Sequence, residues 1–295
     1  MPAYLTHRAA GEKVLRKLGI GEIPHNRAFY FGCQGPDILY FSRGVFSDGL
    51  CLGLKMHKKK TRELIYHALN YIKVYQNADK DELISYMAGF LTHYAIDKNS
   101  HPFIYDKSGM NVGLHHAMEY TWDYYSSKEA WDMEPRQFDI LADIKYGKIS
   151  KGISEWYVSA AKDVYGRTLK EDAAYQSLCI FAKSKKRIYT NLPLAGRIFL
   201  RVTSGLKTKE LLHTGYRSEN LFSDFERAKM KRTIVNGVND ACDLISFMLK
   251  YINGTGIQFP ERIVNCDFLG NLLPAAEENL CTNEEPILLD YITRN

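Results

Sequence analysis

Histidine and acidic residues recur at intervals of four in the stretch GFLTHYAIDKNSHPF, residues 89–103. His93 and Asp97 are about one helical turn apart, so they project from the same face of a helix. His101 continues the stripe, but Pro102 disfavours the α conformation of the residue before it. We therefore expect the helix to end there, with His101 leaning off its last turn. Imidazole and carboxylate groups that converge in this way are typical metal ligands, although either half of the pattern alone more often faces water.

Four further segments carry the same residue types. They contribute His7, Asp37 after a Gly-Pro corner, His57, and a run of His115, Glu119 and Asp123 at intervals of four. Imidazoles and carboxylates without cysteine suit Zn²⁺ or another hydrolytic divalent metal. The set is too large for one tetrahedral ion and suits two or three ions that share a carboxylate. Such clusters activate a water molecule and bind a phosphoryl oxygen during in-line attack.

The composition sets limits on the class of protein. The chain has 295 residues, of which 45% are hydrophobic and 25% charged, as in globular proteins with a large core. Its net charge of +5 is compatible with an anionic substrate. No apolar run is long enough for a membrane span. The N-terminus lacks the apolar core of a signal peptide, so we expect a cytoplasmic protein as written, or a secreted one only if a leader was removed. The six cysteines form no CxxC pair.

Helical patterns recur along the chain, and strand patterns do not. Apolar residues repeat with a period near 3.6 over residues 64–75. Thr6 is a candidate N-cap of the first helix, and Asp79 with Glu82 forms a candidate capping box. Gly89, one turn before the first histidine of the stripe, indicates close approach of a neighbouring element.

These patterns predict an all-α fold. We expect a single domain, residues 1–295, of roughly eight to ten helices around a multinuclear metal site. Residues 1–125 would carry the site, and residues 126–295 would form a helical scaffold and a tail. The tail beyond residue 254 shows little pattern, so no structure is predicted for it.

The order and spacing of five segments resemble the zinc-dependent phospholipase C family. The segments are THRAAG, GPDILYF, MHKKK, GFLTHYAIDKNSHPF and HHAMEYTWD. This family includes bacterial phospholipases C and the catalytic domain of a phospholipase D, and zinc nucleases share its fold. The resemblance is strongest over residues 1–125.

The resemblance implies a role for each candidate ligand. Asp37, His57, His93 and Asp97 would surround one zinc; His101, His115 and Glu119 would surround a second; and His7, with the chain's N-terminus and with Asp97 as a bridge, would hold a third. Classical members use a processed N-terminal tryptophan as a ligand, whereas this chain begins Met1-Pro2, so we expect two or three ions.

Two positions remain open at this stage. The i,i+4 spacing to Glu119 favours His115 as a ligand, but His116 at i+3 reaches the same face. Asp123, one turn beyond Glu119, could support a ligand histidine or face solvent.

The resemblance implies a metal-dependent phosphodiester hydrolase of the phospholipase C type, in which a metal-bound hydroxide attacks phosphorus and Asp37 is the candidate proton acceptor. The expected substrate is a phospholipid headgroup or a soluble analogue, with transient contact at a membrane surface and no stable nucleic-acid partner. The alternatives are a single-strand nuclease or nucleotidase of the same fold, and a non-catalytic metal-binding helical protein.

Overall fold

Helices make up the regular structure of the residues described by the computed structural model, which are 4–20, 25–41, 52–109, 111–143, 149–189, 222–254, 259–260 and 264–273. The α-helices are α1 (Tyr4–Lys17), α2 (Asn26–Gly32), α3 (Leu52–Lys58), α4 (Thr61–Val74), α5 (Lys80–Ser108), α6 (Val112–Trp131), α7 (Ile140–Asp143), α8 (Lys151–Asp163), α9 (Ala173–Tyr189) and α10 (Asp224–Ile252). Two 3₁₀ segments, Gly35–Phe41 and Pro135–Gln137, complete the set. This confirms the all-α prediction. Within the same residues, no helix has the length and apolar content to cross a membrane.

Helix α5 lies at the centre of the packing, with α10 and α2 as its most extensive neighbours. Two glycines allow α2 and α5 to touch backbone to backbone. A Cβ atom on Gly89 would lie 2.0 Å from the carbonyl oxygen of Phe29, and one on Gly32 would lie 2.0 Å from that of Tyr86. The close neighbour predicted at Gly89 is therefore α2. This contact holds the loop after α2 against the middle of α5.

Helix α5 does not end before His101, so that prediction was wrong. It passes through Pro102 and continues to Ser108, and His101 is a fully buried residue of its interior. Beyond the proline, Phe103 and Ile104 belong to a cluster of buried apolar side chains. Burial of such side chains stabilises a structure by about 1.5–3 kcal/mol each, which offsets the local preference against α conformation before proline.

Thr6 is not the N-cap of α1, and the capping box predicted at the start of α5 does not form. Helix α1 already begins at Tyr4, and Thr6 lies inside its first turn. Asp79 does precede α5, but its side chain makes no capping hydrogen bond. Its carboxylate instead accepts hydrogen bonds from the Tyr75 hydroxyl at 2.8 Å and from the backbone N–H of Gly152 at 2.7 Å. The Gly152 donor, 73 residues further along the chain, thus takes the place of the local partner that a capping box would supply.

Candidate metal centre

Four of the predicted ligands meet beside the middle of α5. Asp37 comes from the first 3₁₀ segment, His57 from the end of α3, and His93 and Asp97 from successive turns of α5. One ligand atom from each lies within 4.8 Å of all the others, and all four residues are buried. We call these residues the quartet. Gly35, with φ +50°, makes the approach possible, because a Cβ atom there would lie 2.3 Å from the His93 ring.

The spacing within the quartet suits a tetrahedral zinc ion. The Nε2 atom of His57 lies 3.1 Å from Oδ1 of Asp37 and 3.6 Å from Oδ2 of Asp97. The Nε2 atom of His93 lies 3.7 Å and 3.3 Å from the same two oxygens. Ligands about 2.0–2.1 Å from a tetrahedral ion are about 3.3 Å apart, which lies inside this range.

Backbone carbonyls orient both imidazoles of the quartet. The Nδ1 atom of His57 lies 2.6 Å from the carbonyl oxygen of Gly53, and Nδ1 of His93 lies 3.0 Å from that of Cys33. A carbonyl can only accept, so each Nδ1 carries the proton and each Nε2 presents a lone pair to the quartet. Metal-ligating histidines are held in this way by their other ring nitrogen.

Several atoms that face the centre of the quartet have no hydrogen-bond partner in the described part of the chain. They are Nε2 of His57, Nε2 of His93, Oδ1 of Asp37 and Oδ2 of Asp97. The short distances between them are not hydrogen bonds, because each Nε2 presents a lone pair and an ionised carboxylate oxygen can only accept. Buried polar atoms are nearly always satisfied, and leaving one unsatisfied costs about 1–3 kcal/mol. A divalent cation would satisfy all of them, so the residues fit the metal.

Asp97 joins the quartet to His7. The Oδ1 atom of Asp97 lies 3.2 Å from Nε2 of His7, while its Oδ2 faces the quartet. The ring of His7 stacks on that of His93 with centroids 4.2 Å apart. Burial would raise the pKa of Asp97, but the imidazoles of His93 and His101 hold its pKa well below the usual range. Asp97 is therefore an ionised carboxylate whose two oxygens face different histidines, and its bridging role stays a prediction.

Burial lowers the pKa of His7 to about 4, so its ring is neutral at neutral pH. Both of its ring nitrogens lack a hydrogen-bond partner among the described residues. The N-terminus of the chain, the other predicted ligand of a third ion, lies outside the described residues.

A second group lies where α5 meets α6. The ligand atoms of His101, His115 and Glu119 all lie within 4.8 Å of one another, and we call these residues the triplet. Nε2 of His115 is 2.8 Å from Oε1 of Glu119. Burial lowers the pKa of His101 to about 3 and that of His115 to about 2, so both rings are neutral.

His115 and His116 contact different oxygens of the same carboxylate. His115 lies against Oε1 of Glu119, while Nδ1 of His116 lies 3.1 Å from Oε2. The side chain of His116 is 42% exposed, against 12% for His115, and only His115 joins His101 in the triplet. This placement supports His115, and its role as a ligand stays a prediction.

A family model for zinc-dependent phospholipase C matches residues 3–167, more than half of the chain. All eight predicted ligands fall inside that match. The chain belongs to the zinc-dependent phospholipase C family. Searches of curated proteins and of solved structures found no match.

Membership of the zinc-dependent phospholipase C family and the two groups of metal-binding residues together support a metal-dependent, phospholipase-like role. The family also implies a zinc enzyme that acts on a phospholipid. The number of ions, the ligand assignments and the role of Asp37 stay predictions.

Asp123 has a structural role that its spacing did not reveal. It is fully buried, so the solvent-facing alternative was wrong. Its carboxylate accepts hydrogen bonds from the backbone N–H groups of Leu5 and Thr6, at 3.1 and 2.8 Å, and from the Thr6 hydroxyl at 2.7 Å. These are the free donors of the first turn of α1, where a negative charge is favourable. Asp123 thus fixes the start of α1, and with it His7, against α6.

Phe268 was not predicted from the sequence, because it lies in the tail where no structure was expected. Phe268 is fully buried, and its carbonyl oxygen lies 2.9 Å from Nδ1 of His101. A backbone acceptor can be supplied by any residue type, so no sequence pattern could have identified it.

Proposed function

We propose that this protein hydrolyses a phosphodiester bond of a phospholipid headgroup, using two zinc ions held by the quartet and the triplet. The observation that carries the proposal is the orientation of the ligand atoms. In the quartet, the Nδ1 atoms of His57 and His93 face backbone carbonyls and their Nε2 atoms face two carboxylates. His101 repeats the arrangement in the triplet, because its Nδ1 faces a carbonyl and its Nε2 has no hydrogen-bond partner in the described residues.

The charge of the two groups favours an anionic substrate. Asp37, Asp97 and Glu119 carry three negative charges, and two zinc ions would carry four positive charges. The histidines of the triplet are neutral, because burial lowers the pKa of each well below 7. A loaded centre would therefore have a net charge of about +1, which attracts a phosphodiester anion.

Bound zinc would supply a Lewis acid for the phosphoryl oxygens and lower the pKa of a water molecule. In this proposal, Asp37 accepts the proton of the attacking water. Burial would raise the pKa of Asp37, but His93 and His57 lower its pKa below the ordinary value, so it is ionised at neutral pH. The carboxylate is buried and held 3.1 Å from His57, which limits its motion.

The triplet offers the more accessible side of the centre. The ring of Tyr105 packs against the rings of His101 and His115, with centroids 5.7 and 4.9 Å away, and Tyr105 is 36% exposed. The side chain of His116, whose ring contacts that of His115, is 42% exposed. All four residues of the quartet are buried. We infer that the substrate phosphate approaches past Tyr105, and that a lipid substrate brings this side into transient contact with a membrane surface.

A structural zinc centre is the second candidate, and the burial of the quartet favours it. His57, His93 and Asp97 have no exposed surface, and Asp37 is only 2% exposed. Structural zinc sites are closed, whereas catalytic sites keep an open position for water or substrate. Only turnover can separate the two candidates.

The test is a panel of phosphodiesters offered to zinc-loaded protein and to chelator-treated protein. The panel contains phosphatidylcholine vesicles, bis-p-nitrophenyl phosphate and single-stranded DNA. We expect hydrolysis of the lipid that is lost with the chelator and restored by zinc. Hydrolysis of DNA alone would favour the nuclease alternative. A zinc-loaded protein that hydrolyses none of the three would overturn the enzymatic proposal in favour of the structural centre.

A further inference from the structure

Residues 264–273 form a tight turn that lies outside the region matched by the family model. The carboxylate of Asp267 holds the turn together. Its Oδ1 accepts from the N–H groups of Leu269 and Asn271, at 2.8 and 2.9 Å, and its Oδ2 accepts from the side-chain amide of Asn271 at 2.8 Å. Asp267 is only 6% exposed, so these bonds are shielded from water. We call residues 264–273 the clamp.

Phe268, at the tip of the clamp, contacts candidate ligands from two different helices. Its N–H donates to the carbonyl oxygen of His57 at 3.2 Å, and its carbonyl oxygen accepts from Nδ1 of His101 at 2.9 Å. Its ring packs against His57 and His93, with centroids 5.1 and 5.9 Å away. One residue therefore contacts both the quartet and the triplet.

The clamp is seated on α5 beside the proline. Gly270 has φ +78°, and a Cβ atom there would lie 2.4 Å from Cγ of Pro102 and 2.9 Å from the carbonyl oxygen of Lys98. The hydroxyl of Tyr94 donates to the carbonyl oxygen of Cys266 at 2.8 Å. These contacts fix the position of the clamp relative to the part of α5 that carries the candidate ligands.

We propose that the clamp is part of the metal centre, with Asp267 and Phe268 as positioning residues that hold His101 in its ligand orientation. The inference rests on the proposed function, because it assumes that His101 binds zinc. The hydrogen bonds of Asp267 stabilise the conformation of the clamp, and this conformation positions the carbonyl oxygen of Phe268. That carbonyl binds the Nδ1 proton, and the lone pair of Nε2 then points toward His115 and Glu119.

A second carbonyl lies near the same nitrogen, but it cannot replace the clamp. The carbonyl oxygen of Asp97 is 3.1 Å from Nδ1 of His101. Asp97 precedes His101 by four residues in α5. In a regular α-helix its carbonyl oxygen therefore accepts from the backbone N–H of His101 rather than from the ring. Phe268 supplies the shorter contact and the only acceptor that the described residues bring to this nitrogen from outside α5. Loss of the clamp would leave the ring free to turn about its side-chain bonds.

The test compares zinc binding by Asp267→Ala, Asp267→Asn and Asp79→Ala with the wild type. Metal-free full-length protein is titrated with zinc against a chromophoric chelator, and activity is not read. Asp267→Ala loses all three hydrogen bonds of the turn, and we expect the affinity of the second zinc to fall about 10–100-fold, the usual effect of losing a group that orients a ligand. Asp267→Asn keeps an oxygen for the two backbone N–H groups and should stay within about threefold of the wild type.

Asp79→Ala is the matched control, because it also removes a carboxylate that holds one side-chain and one backbone donor. Asp79 stands fourteen residues before His93 on α5, about 20 Å along the axis. Its zinc affinities should equal those of the wild type. An equal loss in Asp79→Ala and Asp267→Ala would show a general loss of stability and overturn the proposal.

The remaining outcomes separate this inference from the function on which it rests. A wild type that binds no zinc would refute the metal centre itself. A wild type that binds two ions, with Asp267→Ala binding both at unchanged affinity, would refute the clamp alone. If Asp267→Ala loses its helical circular dichroism, the affinity of Gly270→Ala for the second zinc is measured instead. The added methyl group of this variant pushes the clamp away from Pro102, so we expect the same loss of affinity.

Discussion

At the scale of single residues, the hydrogen bonds within the protein determine which atom of each side chain is left to bind a metal. The backbone carbonyls of Gly53 and Cys33 occupy Nδ1 of His57 and His93 and leave Nε2 for a metal. Asp97 has the opposite arrangement, since neither carboxylate oxygen has a hydrogen bond within the described residues. A buried, ionised carboxylate without donors is unfavourable unless a cation lies beside it.

Asp97→Asn tests this interpretation of the carboxylate. The change keeps the shape of the side chain but removes its charge and one of its two acceptor oxygens. We expect bound zinc to fall by at least one ion per chain, measured by elemental analysis after dialysis. Asp106→Asn, at a side chain of the same helix that is 76% exposed, is the control and should retain all its zinc. Full zinc content in Asp97→Asn would rule out a bridging role.

Asp37→Asn tests the proposed proton acceptor. We expect phosphodiester turnover to fall by at least ~10²-fold, a typical loss for a positioned acid–base group. Asp37 also faces the quartet, so bound zinc must be measured in the same samples. The prediction concerns turnover per bound ion. Unchanged turnover in a zinc-loaded Asp37→Asn protein would assign the proton to another acceptor.

At the scale of elements, α5 carries ligands for both groups on one rigid segment. His93 and Asp97 face the quartet, and His101, one turn further on, faces the triplet. The helix continues through Pro102, so the relative position of the two groups is set by helical geometry rather than by a loop. Helix α6 adds His115 and Glu119 to the triplet, and its Asp123 also fixes the first turn of α1.

Asp123→Ala tests the link between α1 and α6. The change leaves the N–H groups of Leu5 and Thr6 without their acceptor in a buried position. We expect the free energy of unfolding to fall by about 1–3 kcal/mol. Chemical denaturation of the metal-free protein gives this value without a contribution from zinc. Asp123→Asn, which keeps one acceptor oxygen, should lose less; equal stability of Asp123→Ala and wild type would refute the link.

The sequence predicted which polar residues come together better than it predicted the ends of the helices. Gly89 indicated a close neighbour correctly, because a glycine costs stability inside a helix and is favoured there where another backbone must approach. The helix end before Pro102 and the capping box at Asp79 were wrong predictions, because local preferences there are weaker than burial and tertiary hydrogen bonds. Phe268 could not be found at all, since it acts through its backbone carbonyl.

For the protein as a whole, zinc should stabilise the fold as well as serve the chemistry. A ligand that binds only the folded chain adds about 2.7 kcal/mol for each site when its free concentration is 100 times Kd. We expect a chelator to lower the melting temperature of the wild type clearly. The same chelator should change His93→Ala much less, because that variant lacks an Nε2 ligand of the quartet. Identical shifts in both proteins would show that the quartet does not hold the stabilising metal.

Anomalous diffraction at the zinc edge, from crystals of the zinc-loaded wild type, would locate the ions themselves. We expect two strong peaks. One should lie among Asp37, His57, His93 and Asp97, and the other among His101, His115 and Glu119. A third peak beside His7 is compatible with this result. Absence of a peak within the quartet, or zinc bound only at other residues, would contradict the assignment of these residues as a zinc centre.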